Sequence, residues 1–328
     1  MQAAFYERTG AASEVLQLGE LPDPTPGPGE VRVRLRWSGV NPSDVKTRLG
    51  LRNPVLPFPR IVPHSDGMGI VEAVGEGVAA DRVGQRVWTW NAAWGRPFGT
   101  AAQRVVLPQD QAVPLPDGVS DEAGACLGIP ALTALNATLL GDGIAGKSVL
   151  VAGGAGAVGH YAVQFARLLG ARQVLTTVSS AHKAALAAAA GADGVIDYRR
   201  ENVAERVQEL TSGKGVDRIL EVDVAANAGL DVGLLRAGGD CVVYGSNAAQ
   251  FEMPFFASIL KNATFRFFIV YNLDAVDRRR AVTTLNGLLS RGGLIHNIAE
   301  RLALARIAEA HEMVERQQSV GNVVLELP

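Results

Sequence analysis

The stretch that decides the fold is SVLVAGGAGAVGHYAVQFARLLGA, Ser148 to Ala171. It opens with a short apolar run, Val149 to Ala152, suited to a buried parallel strand. It closes with Val163, Phe165, Ala166, Leu168 and Leu169 at helical spacing. Between the two, Gly154, Gly156 and Gly159 complete G-x-G-x-x-G at the strand-to-helix junction. The three glycines meet three physical needs, namely a tight turn, close approach of backbone to a pyrophosphate, and close packing of helix on strand. Amides at the helix N-terminus, including those of Ala157 and Val158, then face the phosphates with the positive end of the helix dipole. A glycine triplet alone is weak, and a plain turn in an alanine-rich α/β protein is the competing reading. The strand before it and the apolar helix after it favour a dinucleotide site.

Downstream, strands and helices alternate in the doubly wound manner. Gln173–Val178 reads as strand, Ala181–Ala190 as helix, Gly194–Tyr198 as strand and Val203–Leu210 as helix. Further strands follow at Val216–Val222, Cys241–Tyr244 and Thr264–Val270. Upstream, the chain to about residue 120 is β-rich, with Val31–Trp37, Gly69–Gly75, Asp81–Trp90 and Gln103–Pro108 divided by Gly and Pro. That spacing suits a barrel-like or Greek-key unit. From about Asp121 a helix pair leads in, interrupted at Pro130, and beyond residue 272 come a helix over Ala303–Glu315 and a strand at Val323–Leu327. A β-rich start, a Rossmann unit and a mixed return predict a discontinuous first domain, residues 1–124 plus 271–328, around a cofactor domain at 125–270.

Composition narrows the function. With 328 residues there is room for two domains, and 31 basic against 33 acidic residues leave a net charge of −2. That balance argues against a nucleic-acid or membrane-surface role. The two cysteines, Cys126 and Cys241, form no C-x-x-C pair, which excludes a four-cysteine zinc lobe and reads as two free buried thiols. The start, MQAAFYERTG, lacks an apolar signal core, and no apolar run is long enough to span a bilayer. A soluble, cytoplasmic protein is expected.

An NAD-selective site places Asp or Glu about 20 residues after the glycines to bond the ribose 2′-OH. No acidic residue lies between Gly159 and Asp193. The position holds Ser179 and Ser180, then His182 and Lys183. Two hydroxyls and an ammonium suit a 2′-phosphate, which a carboxylate would repel. Tyr198 and Arg199 end the next strand on the adenine side. Solvated charges are the bland alternative for Lys183 and Arg199, but the acid-free window implies NADPH.

Together with SGVNPSDVKTRLG (Ser38–Gly50), PHSDGMGIVEAVGEGV (Pro63–Val78), GIPALTALNATL (Gly128–Leu139) and VGNVVLEL (Val320–Leu327), these residues resemble a known family. It is the zinc-independent quinone oxidoreductases of the medium-chain dehydrogenase/reductase superfamily, the zeta-crystallin-like group. The resemblance implies a Rossmann doubly wound parallel sheet domain inserted in a GroES-like β-barrel-type catalytic domain. It implies that Asn41 and Thr133 approach the nicotinamide as positioning groups; the competing readings are an Asx-turn at Asn41-Pro42 and a back-bonded helix threonine. It also implies cofactor contacts at Ala157, Val158, Gly245 and Ser246, and through the main chain of Phe268 to Val270. Ser43, Ser65 and Asp66 are weaker candidates. Where the family often carries Gly-Lys near the cofactor, this chain has Gly321-Asn322, so a charge is missing at Asn322.

In the zinc alcohol dehydrogenases of the superfamily, a cysteine ligand occupies the loop matched by Asn41–Asp44, and a Gly-His-Glu supplies a second ligand. Aligning Gly67–Val71 puts Ser65 at the His position and Asp66 at the Glu position, with His64 one residue off and reading as a packed or rim histidine. No metal is expected. Without a Lewis acid, an unactivated ketone is a poor acceptor, whereas a quinone or enone spreads the incoming charge by conjugation. NADPH-dependent reduction of a small electron-poor acceptor follows. An enoyl, alkenal or ketone reductase is the first alternative, and a non-catalytic NADPH-binding protein the second. Trp88, Trp90 and Trp94 fit either an aromatic acceptor pocket or packing, and Arg52 reads as solvated. The family is commonly dimeric through the cofactor domain. Here Thr264–Tyr271 reads as a long apolar edge strand that a two-fold mate would cover in a homodimer.

Overall fold

In VRVRLR, Val31 to Arg36, the valines and the leucine are buried while the arginines turn outward, which is the period-two signature of a half-buried strand. The computed structural model describes residues 1–328 and divides them into two units, Met1–Ile129 with Asn286–Pro328, and Pro130–Leu285. The strands are β1 (Gln2–Phe5), β2 (Gln17–Glu20), β3 (Glu30–Val40), β4 (Asp66–Val74), β5 (Arg86–Thr89), β6 (Arg104–Pro108), β7 (Ala112–Pro114), β8 (Ser148–Val151), β9 (Gln173–Val178), β10 (Gly194–Asp197), β11 (Val216–Glu221), β12 (Leu235–Val243), β13 (Thr264–Phe267), β14 (Ile298–Ala303) and β15 (Asn322–Glu326). The helices are α1 (Ala12–Val15), α2 (Pro42–Arg48), α3 (Asp121–Gly124), α4 (Leu132–Leu139), α5 (Ala157–Leu168), α6 (Ala181–Ala189), α7 (Val203–Leu210), α8 (Val224–Leu234), α9 (Phe255–Leu260), α10 (Ala275–Arg291) and α11 (Ile307–Glu315).

The first unit is a sheet in the order β14-β15-β3-β4-β5-β7, with β6 added on β3 and a β1-β2 hairpin beside it. Its core gathers Val31, Val33, Leu35, Val71, Val87 and Val105 with Leu302 and Leu325 from the C-terminal segment, so both chain ends build one core. The second unit is a six-stranded parallel sheet, β10-β9-β8-β11-β12-β13. The order reverses between β8 and β11, the switch point at which such sheets bind ligands beyond their strand C-termini.

Two expectations are corrected, and two others take their structural form. The compact units break after Ile129 and after Leu285, the second break inside α10, where the expected limits were 124 and 270. The helix pair is interrupted around Pro130 as expected: α3 ends at Gly124, Pro130 sits in a π-turn, Leu127–Ala131, and α4 begins at Leu132. The helix expected from Ala303 begins at Ile307, after a 3-10 turn at Leu304–Arg306, while Ala303 ends β14. Only Thr264–Phe267 of the long edge strand pairs with β12, and Val270–Asn272 already turns. Trp88 and Trp90 are buried packing groups, their indole N–H donating to Asn286 Oδ1 (3.0 Å) and Asp110 O (3.2 Å). Both cysteines are buried and free. No helix is long and apolar enough to cross a membrane.

Candidate functional site

The cofactor unit builds its site from main chain. Between β8 and α5 the left-handed residue is Gly153, at φ +69°, and not a member of the fingerprint triplet. Gly154 makes contact instead: a Cβ there would collide with the Thr176 side chain of β9. A Cβ at Gly159 would run into the Gly153 carbonyl, so helix and turn close only on hydrogen. At Gly156 the nearest atom to a Cβ would be Gly153 O at 3.3 Å, which leaves that backbone open to approach. Gly154 N–H donates to Thr177 O (3.2 Å), and Gly153 N–H to Thr177 Oγ1 (3.2 Å), fixing the turn on β9. The first amides of α5, at Ala157, Val158 and Gly159, have no acceptor within the helix and no acid in the first turn. Free amides at a helix start of this kind are suited to an anion.

At the C-terminal end of β9, Ser179 is buried and accepts a hydrogen bond from Lys183 Nζ (3.0 Å). Ser180 caps α6, its Oγ accepting from Lys183 N–H (3.3 Å). A hydroxyl, not a carboxylate, thus receives the lysine ammonium. Tyr198 is bonded to the same strand end through Tyr198 N–H to Val178 O (3.0 Å), with its ring half exposed. His182 and Arg199 are exposed. Beyond β12, a Cβ at Gly245 would overlap the Val222 carbonyl, so this position requires glycine. Ser246 Oγ donates to Ala248 O (2.7 Å) and shapes its own turn. Tyr244, Gly245, Phe251, Phe267 and Phe268 line an apolar pocket of about 450 Å³. The Val270 carbonyl accepts from the Arg278 guanidinium, and Phe268 N–H donates to Val243 O (3.2 Å). Thr133 lies buried in α4; the back-bonded threonine of that helix is Thr138, whose Oγ1 donates to Leu135 O (2.6 Å).

The other unit builds with side chains. Asn41 caps α2, and its N–H donates to Asp44 Oδ2 (2.8 Å). Its amide nitrogen donates to Asp66 Oδ2 (2.9 Å), which fixes the amide's orientation. Both carboxyls are buried, Asp44 pushed up to about 7 by desolvation and Asp66 raised well above the usual range for the same reason. Ser65 is buried beside Asp66. Asn322 starts β15, with N–H and Nδ2 both donating to Asn297 O (2.8 and 3.0 Å).

His64 is neither on a rim nor isolated. It is fully buried at φ 77°, a left-handed conformation rare for a side-chain-bearing residue. Its Nε2 lies 2.9 Å from Nε2 of His311, and the rings stack. Donor counting orders the protons. Thr100 Oγ1 donates to Asp66 O (2.5 Å), so Ser38 donates to Thr100 (2.8 Å) and His64 Nδ1–H to Ser38 (2.8 Å). His311 Nε2–H then donates to His64 Nε2, and both rings are neutral. Burial holds His64 down to about 3; His311 is lowered further by burial, then by His64 and the Arg48 guanidinium. Sequence reasoning missed His311, which lies 247 residues from His64 and carries no local motif. No three His, Cys, Asp or Glu side chains converge as a metal seat would require.

Two family models match, the alcohol dehydrogenase GroES-like domain over residues 27–117 and the zinc-binding dehydrogenase over residues 157–286. The chain is 35% identical to a quinone oxidoreductase of Pseudomonas aeruginosa, covering 95% of each. It is 30% identical to a 2-haloacrylate reductase of a Burkholderia species, covering 99% of this chain and 98% of that one. Among solved structures it is similar to an NAD-dependent alcohol dehydrogenase (TM-score 0.91, 30% identity, all of both chains covered). It is also similar to mycobacterial Rv1454c complexed with NADPH (TM-score 0.85, 29% identity, 99% of both chains).

Proposed function

The chain belongs to the quinone oxidoreductases of the medium-chain dehydrogenase/reductase superfamily, and from that premise we propose that it reduces a quinone or similar electron-poor conjugated acceptor with NADPH, without zinc. The observation that carries the cofactor choice is Lys183 Nζ on Ser179 Oγ, in a corner with no acid anywhere from residue 160 to 192. The amides of α5 seat the pyrophosphate, Ser179, Ser180 and Lys183 take the 2′-phosphate, Gly245 and Ser246 make further cofactor contacts, and the main chain of Phe268 to Val270 faces the nicotinamide half. When bound, the reduced cofactor supplies the hydride.

This chain's residues bind and orient. Asn41, its amide held by Asp66, and Thr133, with a hydroxyl not spent on its own helix, position the acceptor. The donor set does not suit zinc: Asn41–Asp44 holds no thiolate, Ser65 stands where a ligand would, and both ring nitrogens of His64 are engaged. An acceptor that delocalises its own charge fits such a site. Reduction of an activated alkene is the second reading, favoured by the haloacrylate-reducing relative. The apolar, exposed Phe255, Phe256, Leu260 and Phe267 around the short edge strand β13 support a homodimer through this unit.

The deciding experiment is steady-state cofactor consumption with a benzoquinone, a naphthoquinone, an enone and a simple ketone, NADH alongside NADPH. The expected result is turnover of the conjugated acceptors and a kcat/KM at least about tenfold higher with NADPH. Equal efficiency with NADH overturns the cofactor reading. A ketone as good as a quinone, or a stoichiometric metal whose removal ends turnover, overturns the zinc-free chemistry.

A further inference from the structure

Asp66 opens β4, so the residues just before it decide where it stands. Those residues are laid along Gly99–Ala101. Gly99 N–H donates to Val62 O (2.8 Å), Thr100 N–H to His64 O (3.0 Å) and Ala101 N–H to Pro63 O (3.1 Å). A Cβ at Gly99 would overlap the His64 and Pro63 carbonyls, so the two segments meet main chain on main chain. In the middle stands His64, at φ 77°. Glycine adopts that conformation freely, whereas a residue with a side chain is strained there and persists only where its surroundings over-determine it. For His64 that hold is the ring, bonded at both nitrogens.

The ring belongs to a chain that ends on a site residue. His311 donates to His64, His64 to Ser38, Ser38 to Thr100, and Thr100 to the Asp66 carbonyl. The Asp66 carboxyl in turn accepts from the Asn41 amide nitrogen (2.9 Å). His64, His311, Ser38 and Thr100 are all fully buried, so the chain has no outlet to solvent; it holds groups in place and does not carry protons. The helix that supplies His311 also grips Asn41 from its other side. One turn beyond His311 in α11, Glu315 Oε2 accepts from Arg48 Nη2 (2.6 Å) at the end of α2, the helix that Asn41 caps. A single element thus fixes both the carboxyl that the Asn41 amide meets and the helix from which Asn41 projects. We propose that His64 and His311 are positioning residues for the reaction, acting through Ser38, Thr100 and Asp66 to aim the Asn41 amide. The inference rests on the functional reading above, since it takes Asn41 as a group that positions the acceptor. An amide turned slightly away loses the near-attack geometry, while the cofactor seat, built from other residues, is untouched.

The test is a double-mutant cycle on the full chain, read in steady-state turnover of a naphthoquinone with NADPH. His311→Leu removes the first donor at similar volume, and His311→Gln keeps an N–H donor. In the wild-type background H311L should lower kcat about tenfold with the KM for NADPH unchanged, and H311Q should recover most of that loss. In the Asn41→Ala background H311L should change kcat by less than about twofold, because the group it acts through is already gone. Ser38→Ala opens the chain at its middle and should repeat the pattern, which keeps the test decisive should H311L not fold. An equal fall in both backgrounds means that the chain serves the fold alone, and no fall in the wild-type background means that it aims nothing; either result overturns the proposal. Absence of wild-type turnover, or full turnover by N41A, overturns instead the functional reading, and the inference with it.

Discussion

The phosphate turn of one unit and the histidine lattice of the other solve opposite problems. The turn at Gly153–Gly159 works by leaving atoms out: its space exists because side chains are missing, and its partners are amides that every residue possesses. The lattice from His311 through His64, Ser38 and Thr100 to the Asp66 carbonyl works by adding atoms, each of which needs one partner in one protonation state. The first therefore tolerates almost any neighbour but no Cβ. The second tolerates neither a changed neighbour nor a misplaced proton.

The contrast is broken most severely at the turn. Gly159→Ala drives a methyl into the Gly153 carbonyl, backbone that cannot yield cheaply. Affinity for NADPH, followed by fluorescence titration, should fall by at least about a hundredfold, with about 1–3 kcal/mol of stability lost to overpacking. At Gly156 a Cβ would stand 3.3 Å from the same carbonyl oxygen, a tight contact rather than an overlap, so Gly156→Ala should keep most of its melting temperature and lose mainly affinity. If the two variants behave alike, the division of labour among the glycines is wrong.

The lattice should answer to pH instead. The folded-state pKa of His64 is depressed, so its neutral ring contributes stability above about 6.5 that is lost as pH falls toward about 3. His64→Gly also relieves the left-handed backbone. Its destabilisation, from chemical unfolding, should be smaller at pH 5 than at pH 7 by about 2 kcal/mol. A difference independent of pH would mean that the pair is not held neutral. The smallest effect belongs to Lys183→Ala, which should raise the KM for NADPH about tenfold, equivalent to about 1.4 kcal/mol, and leave that for NADH nearly unchanged.

The same contrast explains what can be read from the sequence. Gly156 and Gly159 announce themselves because their neighbour Gly153 lies within a few residues, Gly154 is found by its spacing from them although its partners Thr176 and Thr177 lie on the next strand, and β9, α6, β10 and α7 follow from periodicity within short windows. The left-handed Gly153 escapes because the fingerprint starts one residue later. The His64–His311 pair has no such window, and neither residue means anything until β3, β4 and α11 are packed. The apolar run Thr264–Tyr271 promises too long a strand because hydrophobicity does not say where the neighbouring strand ends; pairing stops at Val243 with Phe267. Asn41 reads both as a turn residue and as a site residue, and its bonds to Asp44 and Asp66 let it be both.

The two sulfurs of this chain bear on its durability. Cys126 and Cys241 are sealed in the interior, and burial pushes both thiols well above their ordinary range, so neither presents a thiolate to solvent. Conjugated electrophiles destroy many enzymes by arylating such anions. With no other cysteine in the chain, such electrophiles find no exposed thiolate to attack, which would spare a catalyst of the proposed reaction the fastest of its side reactions.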